Sequence, residues 1–243
     1  MLNLPRIRAI SLDLDDTLWP VWPTIQRAES VLQQWLTLHA PATAHWLSDP
    51  ERRQRIREAV NADLAHLSHD LTTLRREAIR RALVEAGDAA DLCEPAFEVF
   101  LAERQRVAFF DDALSALDRL SRRFPVASVS NGNADVHRVG IGHHFQAVIT
   151  AREVGCKKPD PRIFGLAADA LGVPPEAVLH VGDDFELDVL GAHAAGMQTA
   201  WINRAGHPLP VVRQVRHVVI CQTLTQLCDR LGLGGTDPAS TTP

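Results

Sequence analysis

The stretch Ser11-Leu12-Asp13-Leu14-Asp15-Asp16-Thr17-Leu18 lies at the end of an apolar run that begins at Ile7. An almost unbroken apolar run is typical of a strand that is buried on both faces of a parallel sheet. The run ends in three carboxylates, Asp13, Asp15 and Asp16. Carboxylates this close together resist ionising unless a cation lies among them, and hard divalent ions prefer oxygen ligands. The stretch therefore predicts a Mg²⁺ site at the carboxyl end of a buried strand.

Two other interpretations of the acidic stretch exist. A calcium loop of the EF-hand type would need Gly at its sixth position and Glu at its twelfth, but counting from Asp13 these are Leu18 and Thr24. That interpretation is excluded. An acidic helix cap is a common use of Asp and Thr, so the metal site depends on partners elsewhere in the chain.

The composition limits the classes of partner. The 243 residues carry a net charge of −5, and the Arg-rich stretch 52–57 is flanked by Glu51 and Glu58, so we expect no nucleic-acid partner. The N-terminal segment resembles neither a signal peptide nor a membrane span, and the four cysteines form no close metal-ligand pair. These features predict a reduced, cytoplasmic protein without a membrane partner. Its state, monomer or homodimer, is left open.

The pattern after Leu18 is helical up to about residue 107. Helices are expected after Pro50, which fits a first helical position, over 71–86 and over 91–109. Residues 19–107 therefore form a predicted helical insertion. From Asp111 strands and helices alternate, with strands expected at 126–130, 147–150, 178–181, 199–202 and 217–220, and helices at 112–123, 134–139, 160–172, 185–195 and 224–231.

This alternation predicts an α/β fold with a Rossmann-like, doubly wound parallel sheet. The expected core comprises residues 1–18 and 108–231, and the Gly- and Thr-rich residues 232–243 form a predicted mobile tail. In such a sheet the carboxyl ends of the strands open into one crevice. Ser130 and Asn131 follow the second strand, and Asp183 and Asp188 follow the fourth.

The only lysines of the chain, Lys157 and Lys158, lie side by side in a sequence that otherwise uses Arg. A compact ammonium suits a crowded anion site better than the wider guanidinium of Arg. Each polar residue alone has an ordinary explanation as a cap, a turn residue or a solvated charge. Their joint position at successive strand ends predicts an active site.

These residues resemble the four ordered motifs of the haloacid-dehalogenase superfamily: Asp13 to Thr17, Ser130-Asn131, Lys158 to Pro161, and Gly182 to Asp188. The helical insertion after the first motif resembles the first cap class of that family. Ser130 to Ala134 and Leu179 to Asp184 are similar to bacterial phosphatases that act on FMN and on 5-amino-6-(5-phosphoribitylamino)uracil of riboflavin synthesis. The resemblance implies a phosphatase acting on a small phosphorylated metabolite.

The resemblance also implies the roles of individual residues. Asp13 would be the nucleophile that forms an aspartyl-phosphate, and Asp15 the general acid and base. Mg²⁺ would be bound by Asp13, Asp183 and the carbonyl of Asp15, with Asp188 orienting Lys158 or a metal-bound water. The transferring phosphoryl oxygens would be bound by a further set of residues, namely Thr17, Ser130, Asn131 and Lys158.

Relatives with other chemistry are partly excluded. Haloacid dehalogenases lack an acid at the position of Asp15, and phosphonatases use a cap lysine, which residues 19–107 do not contain. A hexose-phosphate mutase and a non-catalytic phosphate-sensing protein remain alternatives.

Four residues of the insertion are candidates for substrate specificity. Trp19 and Trp22 lie near Asp13 in sequence and could stack on a flat ring, although large aromatics usually pack a core. Arg75 and Arg76 could meet an anionic part of the substrate, although charged helix faces are usually only solvated.

Overall fold

A computed structural model describes residues 2–208 and 218–234 of the chain. Within these residues six parallel strands form one sheet in the order β3-β2-β1-β4-β5-β6. The strands are β1 Ala9–Leu12, β2 Val126–Ser130, β3 Ala147–Thr150, β4 Val178–Gly182, β5 Gln198–Ile202 and β6 Val218–Cys221. The predicted α/β fold with a doubly wound sheet is confirmed.

Helices cover both faces of this sheet, which explains why the central strands are apolar throughout. All residues of β1 are buried. One face packs on α6 Ala113–Arg123 and α11 Leu224–Arg230, and the other packs on α9 Pro161–Ala170 and α10 Gly191–Ala194. The short helices α7 Val136–Val139 and α8 Ala151–Val154 lie in the connections before and after β3, at the edge of the sheet.

The insertion is helical, as expected. Its helices are α1 Val21–His39, α2 Pro41–Trp46, α3 Pro50–Asp63, α4 Leu71–Ala86 and α5 Cys93–Arg104. Leu36, Leu83, Phe97 and Phe100 belong to a hydrophobic cluster separate from the one around β1. A separate cluster is what an added domain needs, and the division at residues 18/19 and 107/108 stays a prediction.

The junction between insertion and sheet is braced by three hydrogen bonds. The amide of Phe110 donates to the carbonyl of Leu18 at 2.9 Å. Arg204 follows β5, and its guanidinium donates to the carbonyl of Thr17 at 2.9 Å and to Asp112 Oδ1 at 3.0 Å. The segment that leads from Asp13 into the insertion and the segment that returns from the insertion to the sheet are therefore held next to each other.

Three expected helices differ from the observed ones. The helix expected over 91–109 ends at Arg104, because the following residues bond back to the sheet domain. The helix expected from residue 134 begins at Val136, since Asp135 caps it. The helix expected over 185–195 starts as a π-helical turn, Phe185–Leu190, in which the carbonyl of Asp184 accepts from the amide of Val189 at 3.3 Å.

The predicted tail begins within the described part of the chain. Leu233 accepts a hydrogen bond from Arg119 Nε at 2.8 Å, and its amide donates to the carbonyl of Cys228 at 2.9 Å. Leu233 is therefore hydrogen-bonded to the core, and the mobility expected of the tail stays a prediction. Residues 235–243 lie outside the described residues, as does the first residue of the strand expected at 217–220. Every helix that the structure describes is too short or too polar to span a bilayer.

Candidate active site

Asp13 lies immediately beyond β1 and remains paired with the sheet. Its amide donates to the carbonyl of Val181 in β4 at 2.9 Å, which places the side chain where β1 and β4 both end. Only 5% of Asp13 is exposed. The chain adds β2 and β3 on one side of β1 and β4 to β6 on the other, and ligands of open α/β sheets bind in the crevice formed where the strand order reverses in this way.

Lys158 joins two carboxylates from different strand ends. Its Nζ, on a residue that is 3% exposed, donates to Asp13 Oδ1 and, at 2.6 Å, to Asp188 Oδ1. Lys158 itself is held by Asn131, whose Oδ1 accepts from the Lys158 amide at 2.8 Å and whose Nδ2 donates to its carbonyl at 3.0 Å. Both ends of the Asn131 side-chain amide are therefore used to position Lys158, and phosphate binding by Asn131 stays a prediction.

Burial and charge act in opposite directions on these groups. Burial raises the pKa of Asp13 well above its usual value, although the charge of Lys158 opposes the shift. Burial, together with the nearby charges of Asp188 and Asp16, raises the pKa of Asp183 to about 7. Burial would also raise the pKa of Asp188, but the charge of Lys158 and the hydrogen bond from His180 hold it far below its ordinary range. One ammonium is therefore too little positive charge for this cluster.

The carboxylates fit a divalent cation. Asp13, Asp183 and Asp188 each offer a carboxylate oxygen within 4.8 Å of the others, and such oxygens are the ligands that Mg²⁺ prefers. Thr17 Oγ1 lies between two of them, 3.2 Å from Asp13 Oδ2 and 3.2 Å from Asp183 Oδ1. Thr17 thus contacts the carboxylates, and its predicted contact with phosphate stays a prediction.

Two buried residues behind Asp188 were not predicted from the sequence. His180 Nε2 is 3.1 Å from Asp188 Oδ1, and its Nδ1 is 2.8 Å from Ser11 Oγ. Because an ionised carboxylate only accepts, Nε2 carries the proton and the Ser11 hydroxyl donates to Nδ1. Ser11 and His180 are 0% and 1% exposed, so this chain orients Asp188 and does not meet a substrate.

The Asp15 carboxylate is bonded from the insertion and is not part of the group formed by Asp13, Asp183 and Asp188. Both of its oxygens accept from Arg104 Nη2, at 2.6 and 2.7 Å, and Oδ1 also accepts from Trp19 Nε1 at 2.8 Å. The main-chain carbonyl of Asp15, which the family resemblance implies as a Mg²⁺ ligand, takes no part in these contacts, and its binding of Mg²⁺ stays a prediction. Arg104 was not predicted, since nothing in its sequence context separates it from the other arginines of the insertion.

The structure corrects the interpretation of Trp19. Its side chain is wholly buried and packs edge-on against Phe109 with ring centroids 5.6 Å apart. A buried indole has no face for a substrate ring, so Trp19 does not contribute to a stacking wall in this structure. Trp22 is 65% exposed on the first turn of α1, and its role in stacking stays a prediction.

Arg75 and Arg76 both lie over aromatic rings of α5. Arg75 is 4.3 Å from the ring centre of Phe100 and pairs with Glu29, while Arg76 lies 4.6 Å from the ring centre of Phe97. These contacts pack the insertion. Arg75 also lines a cavity of the insertion together with Asn133, so contact with a substrate remains a prediction for it.

Ser130 ends β2 at the floor of the crevice. Its Oγ accepts from the amide of Gly132 at 2.9 Å, and the residue is 2% exposed. A Cβ on Gly132 would lie 2.4 Å from Asp15 Oδ2 and 3.2 Å from Ser130 Oγ. The loop after β2 therefore needs glycine to approach Asp15 this closely. Phosphate binding by Ser130 stays a prediction.

The sequence of residues 7–196 matches the family model of the haloacid dehalogenase-like hydrolases. The chain belongs to this family. It is 35% identical to the 5-amino-6-(5-phospho-D-ribitylamino)uracil phosphatase YigB of Escherichia coli over 82% of the chain and 84% of that protein. It is 39% identical to a phosphoserine phosphatase of Thermus thermophilus over 55% of the chain and 56% of that protein. The predicted membership of this family is confirmed, and so is the prediction that the chain is a phosphoric monoester hydrolase.

A solved structure described as a 2-haloacid dehalogenase from Pseudomonas syringae pv. Tomato DC3000 superposes with a TM-score of 0.86. The two sequences are 34% identical, and the superposition covers 93% of this chain and 98% of the Pseudomonas chain. The likeness extends over the insertion as well as the sheet domain.

The two adjacent lysines allow a matched test of the site's electrostatics. We expect Lys158→Met to lower the free energy of unfolding by about 3–5 kcal/mol, because it removes one partner of a buried ion pair. Lys157 is exposed and its Nζ bonds only the carbonyl of Ser68 among the described residues, so Lys157→Met should change stability by less than about 0.5 kcal/mol. Urea unfolding without divalent cations measures both, and equal losses would contradict the assignment.

Proposed function

We propose that this chain is a Mg²⁺-dependent phosphomonoester hydrolase that works through an aspartyl-phosphate on Asp13. The observation that carries the proposal is the contact of buried Lys158 with Asp13, next to a second acid, Asp15, two residues further on. Lys158 orients one oxygen of Asp13, which leaves the carboxylate fixed for attack on phosphorus. This pairing of a fixed nucleophile with a second acid suits two successive phosphoryl transfers.

The chemistry divides between the two acids. As Asp13 attacks phosphorus and the ester bond breaks, Asp15 gives its proton to the leaving oxygen. Asp15 then takes a proton from the water that hydrolyses the aspartyl-phosphate, which returns both acids to their starting states. Lys158 contributes positive charge beside the phosphoryl group, and Mg²⁺ bound at Asp13 and Asp183 would supply the remaining neutralisation of its oxygens.

Asp15 also argues against dehalogenase chemistry despite the name of the Pseudomonas structure. The family resemblance implies an acid at this position in phosphohydrolases and none in haloacid dehalogenases. The non-catalytic alternative is disfavoured because Asp13, Asp15, Lys158 and Asp183 are all present. The mutase alternative differs in its product, since a mutase returns a phosphorylated isomer and releases no inorganic phosphate.

We propose that the substrate is a phosphorylated metabolite of the size of 5-amino-6-(5-phosphoribitylamino)uracil or FMN. Gly132 borders both the catalytic crevice and a cavity of about 620 Å³ between the insertion and the sheet domain. This volume is typical of a pocket for a ligand much larger than phosphate. Its lining from the insertion includes His69, Leu71 and Gln105. The substrate named for the Escherichia coli relative supports this choice. Cytoplasmic location and a monomeric or homodimeric state stay predictions of the sequence.

The metal requirement is tested by chelation. We expect EDTA to abolish phosphate release and excess Mg²⁺ to restore it, because the crowded carboxylates lack positive charge. The measurement is inorganic phosphate released from a panel of phosphorylated metabolites. Undiminished turnover in a metal-free preparation would refute the metal dependence.

The nucleophile is tested by Asp13→Asn, which nearly preserves volume and removes the attacking carboxylate. We expect kcat to fall by about three orders of magnitude or more, since no covalent intermediate can form. Asp169→Asn, at an exposed position of α9, is the matched control and should keep full activity. Mass spectrometry after quenching should place phosphate on Asp13, and phosphate on another residue would reject the assignment.

The substrate cavity is tested by Leu71→Trp. Leu71 lines this cavity and its neighbour in the insertion, so a larger side chain should exclude a bulky leaving group. We expect kcat/KM to fall about tenfold more for FMN and the ribitylaminouracil phosphate than for glycerol 3-phosphate, a difference of about 1.4 kcal/mol. Leu38→Trp, at a position of α1 that is 79% exposed, is the control. Equal losses on all substrates would reject the cavity as the leaving-group site.

A further inference from the structure

Arg104 is a buried cation with few partners. It occupies the last turn of α5 and is 1% exposed. Its Nη2 donates to both oxygens of Asp15, whereas its Nε and Nη1 have no hydrogen-bond partner among residues 2–208 and 218–234. Burying a guanidinium carries a large desolvation cost, and here the compensating contact is made to Asp15. The contact with Asp15 is therefore the feature that accounts for the position of this side chain.

The residue after Arg104 fixes the same segment to the sheet domain. Gln105 Nε2 donates to the carbonyl of Asn133 at 3.1 Å, and its Oε1 accepts from the amide of Asp135 at 2.7 Å. Both bonds are to the main chain of the loop after β2. The end of α5 is thus attached to the rim of the catalytic crevice. This attachment fixes the position of the Arg104 main chain relative to Asp15.

The start of the insertion contacts the same carboxylate. Trp19 Nε1 donates to Asp15 Oδ1 at 2.8 Å. Asp15 therefore accepts hydrogen bonds from Trp19, the first residue of the insertion, and from Arg104, which lies near the end of the insertion. Gly132 leaves room for this arrangement, because a Cβ there would lie 3.4 Å from Arg104 Nη2 and much closer to Asp15.

We propose that Arg104 is a positioning residue for Asp15, through which the end of the helical insertion sets the orientation of the acid that protonates the leaving group. This rests on the proposed function. The side-chain hydrogen bonds of Arg104 to the described residues are made to Asp15, and none is made to Asp13. Arg104 acts by fixing the orientation of the Asp15 carboxyl through the bonds from Nη2 to both of its oxygens.

The role makes a prediction that a purely structural role does not. A general acid matters most for a basic leaving oxygen, because that oxygen must receive a proton as its bond to phosphorus breaks. Phenolate is such a leaving group, whereas p-nitrophenolate departs with little help. The parameter kcat/KM ends at departure of the leaving group, so later hydrolysis of the aspartyl-phosphate does not enter it.

The experiment compares kcat/KM for phenyl phosphate and p-nitrophenyl phosphate with Mg²⁺ present. We expect Arg104→Met to lose at least tenfold more on phenyl phosphate than on p-nitrophenyl phosphate, the same selectivity that Asp15→Asn should show. Arg106→Gln is the matched control. Its side chain is exposed and pairs with Glu103 at 3.4 Å, so neither substrate should be affected.

The outcomes separate the two claims. Equal losses on both substrates for Arg104→Met, with selective loss for Asp15→Asn, would overturn the positioning role alone. Absence of any turnover by the unmodified enzyme, or equal losses for Asp15→Asn, would overturn the proposed function and this inference with it. If Arg104→Met does not fold, Arg104→Lys replaces it. That variant keeps the charge, so a smaller selective loss is expected, and an unselective loss would again overturn the role.

Discussion

The ammonium of Lys158 between Asp13 and Asp188 is the interaction on which the site depends. Two carboxylates this deeply buried would take up protons without a cation beside them, and a protonated Asp13 is a poor nucleophile. Pairing with Lys158 offsets part of the cost of burial. The buried position in turn strengthens each electrostatic contact, because little water is present to screen it.

The order of the strands makes this pairing possible. Strand β1 lies between β2 and β4, so Asn131, Asp13 and Asp188 reach the same edge of the sheet from three neighbouring positions. Asn131 uses its amide on the main chain of Lys158, and His180 supports Asp188 from within β4. The π-helical turn after β4 is the local departure from regular structure at which Asp188 is presented to Lys158. Wide turns of this kind are frequent at functional sites.

The sequence was sufficient for the parts of the molecule that local pattern controls. Short apolar runs predicted the strands almost to the residue, and residues at their carboxyl ends, such as Asp13 and Asp183, had to converge once the sheet was parallel. Burial of polar groups was not predictable in this way. Arg104 looks like a surface arginine in sequence, and Trp19 like a candidate for substrate contact, because only tertiary packing decides which face of the insertion meets the sheet domain.

The contacts divide the proposed chemistry between the two parts of the chain. Asp13, Lys158, Asp183 and Asp188 all belong to the sheet domain, so the groups for nucleophilic attack and cation binding are assembled without the insertion. Asp15 also belongs to the sheet domain, yet its carboxylate is bonded from Trp19 and Arg104 in the insertion. Proton transfer to the leaving group is therefore the step that depends on how the insertion is seated. Because the insertion also lines the cavity for the leaving group, one element can adjust both which leaving group fits and how its oxygen is protonated.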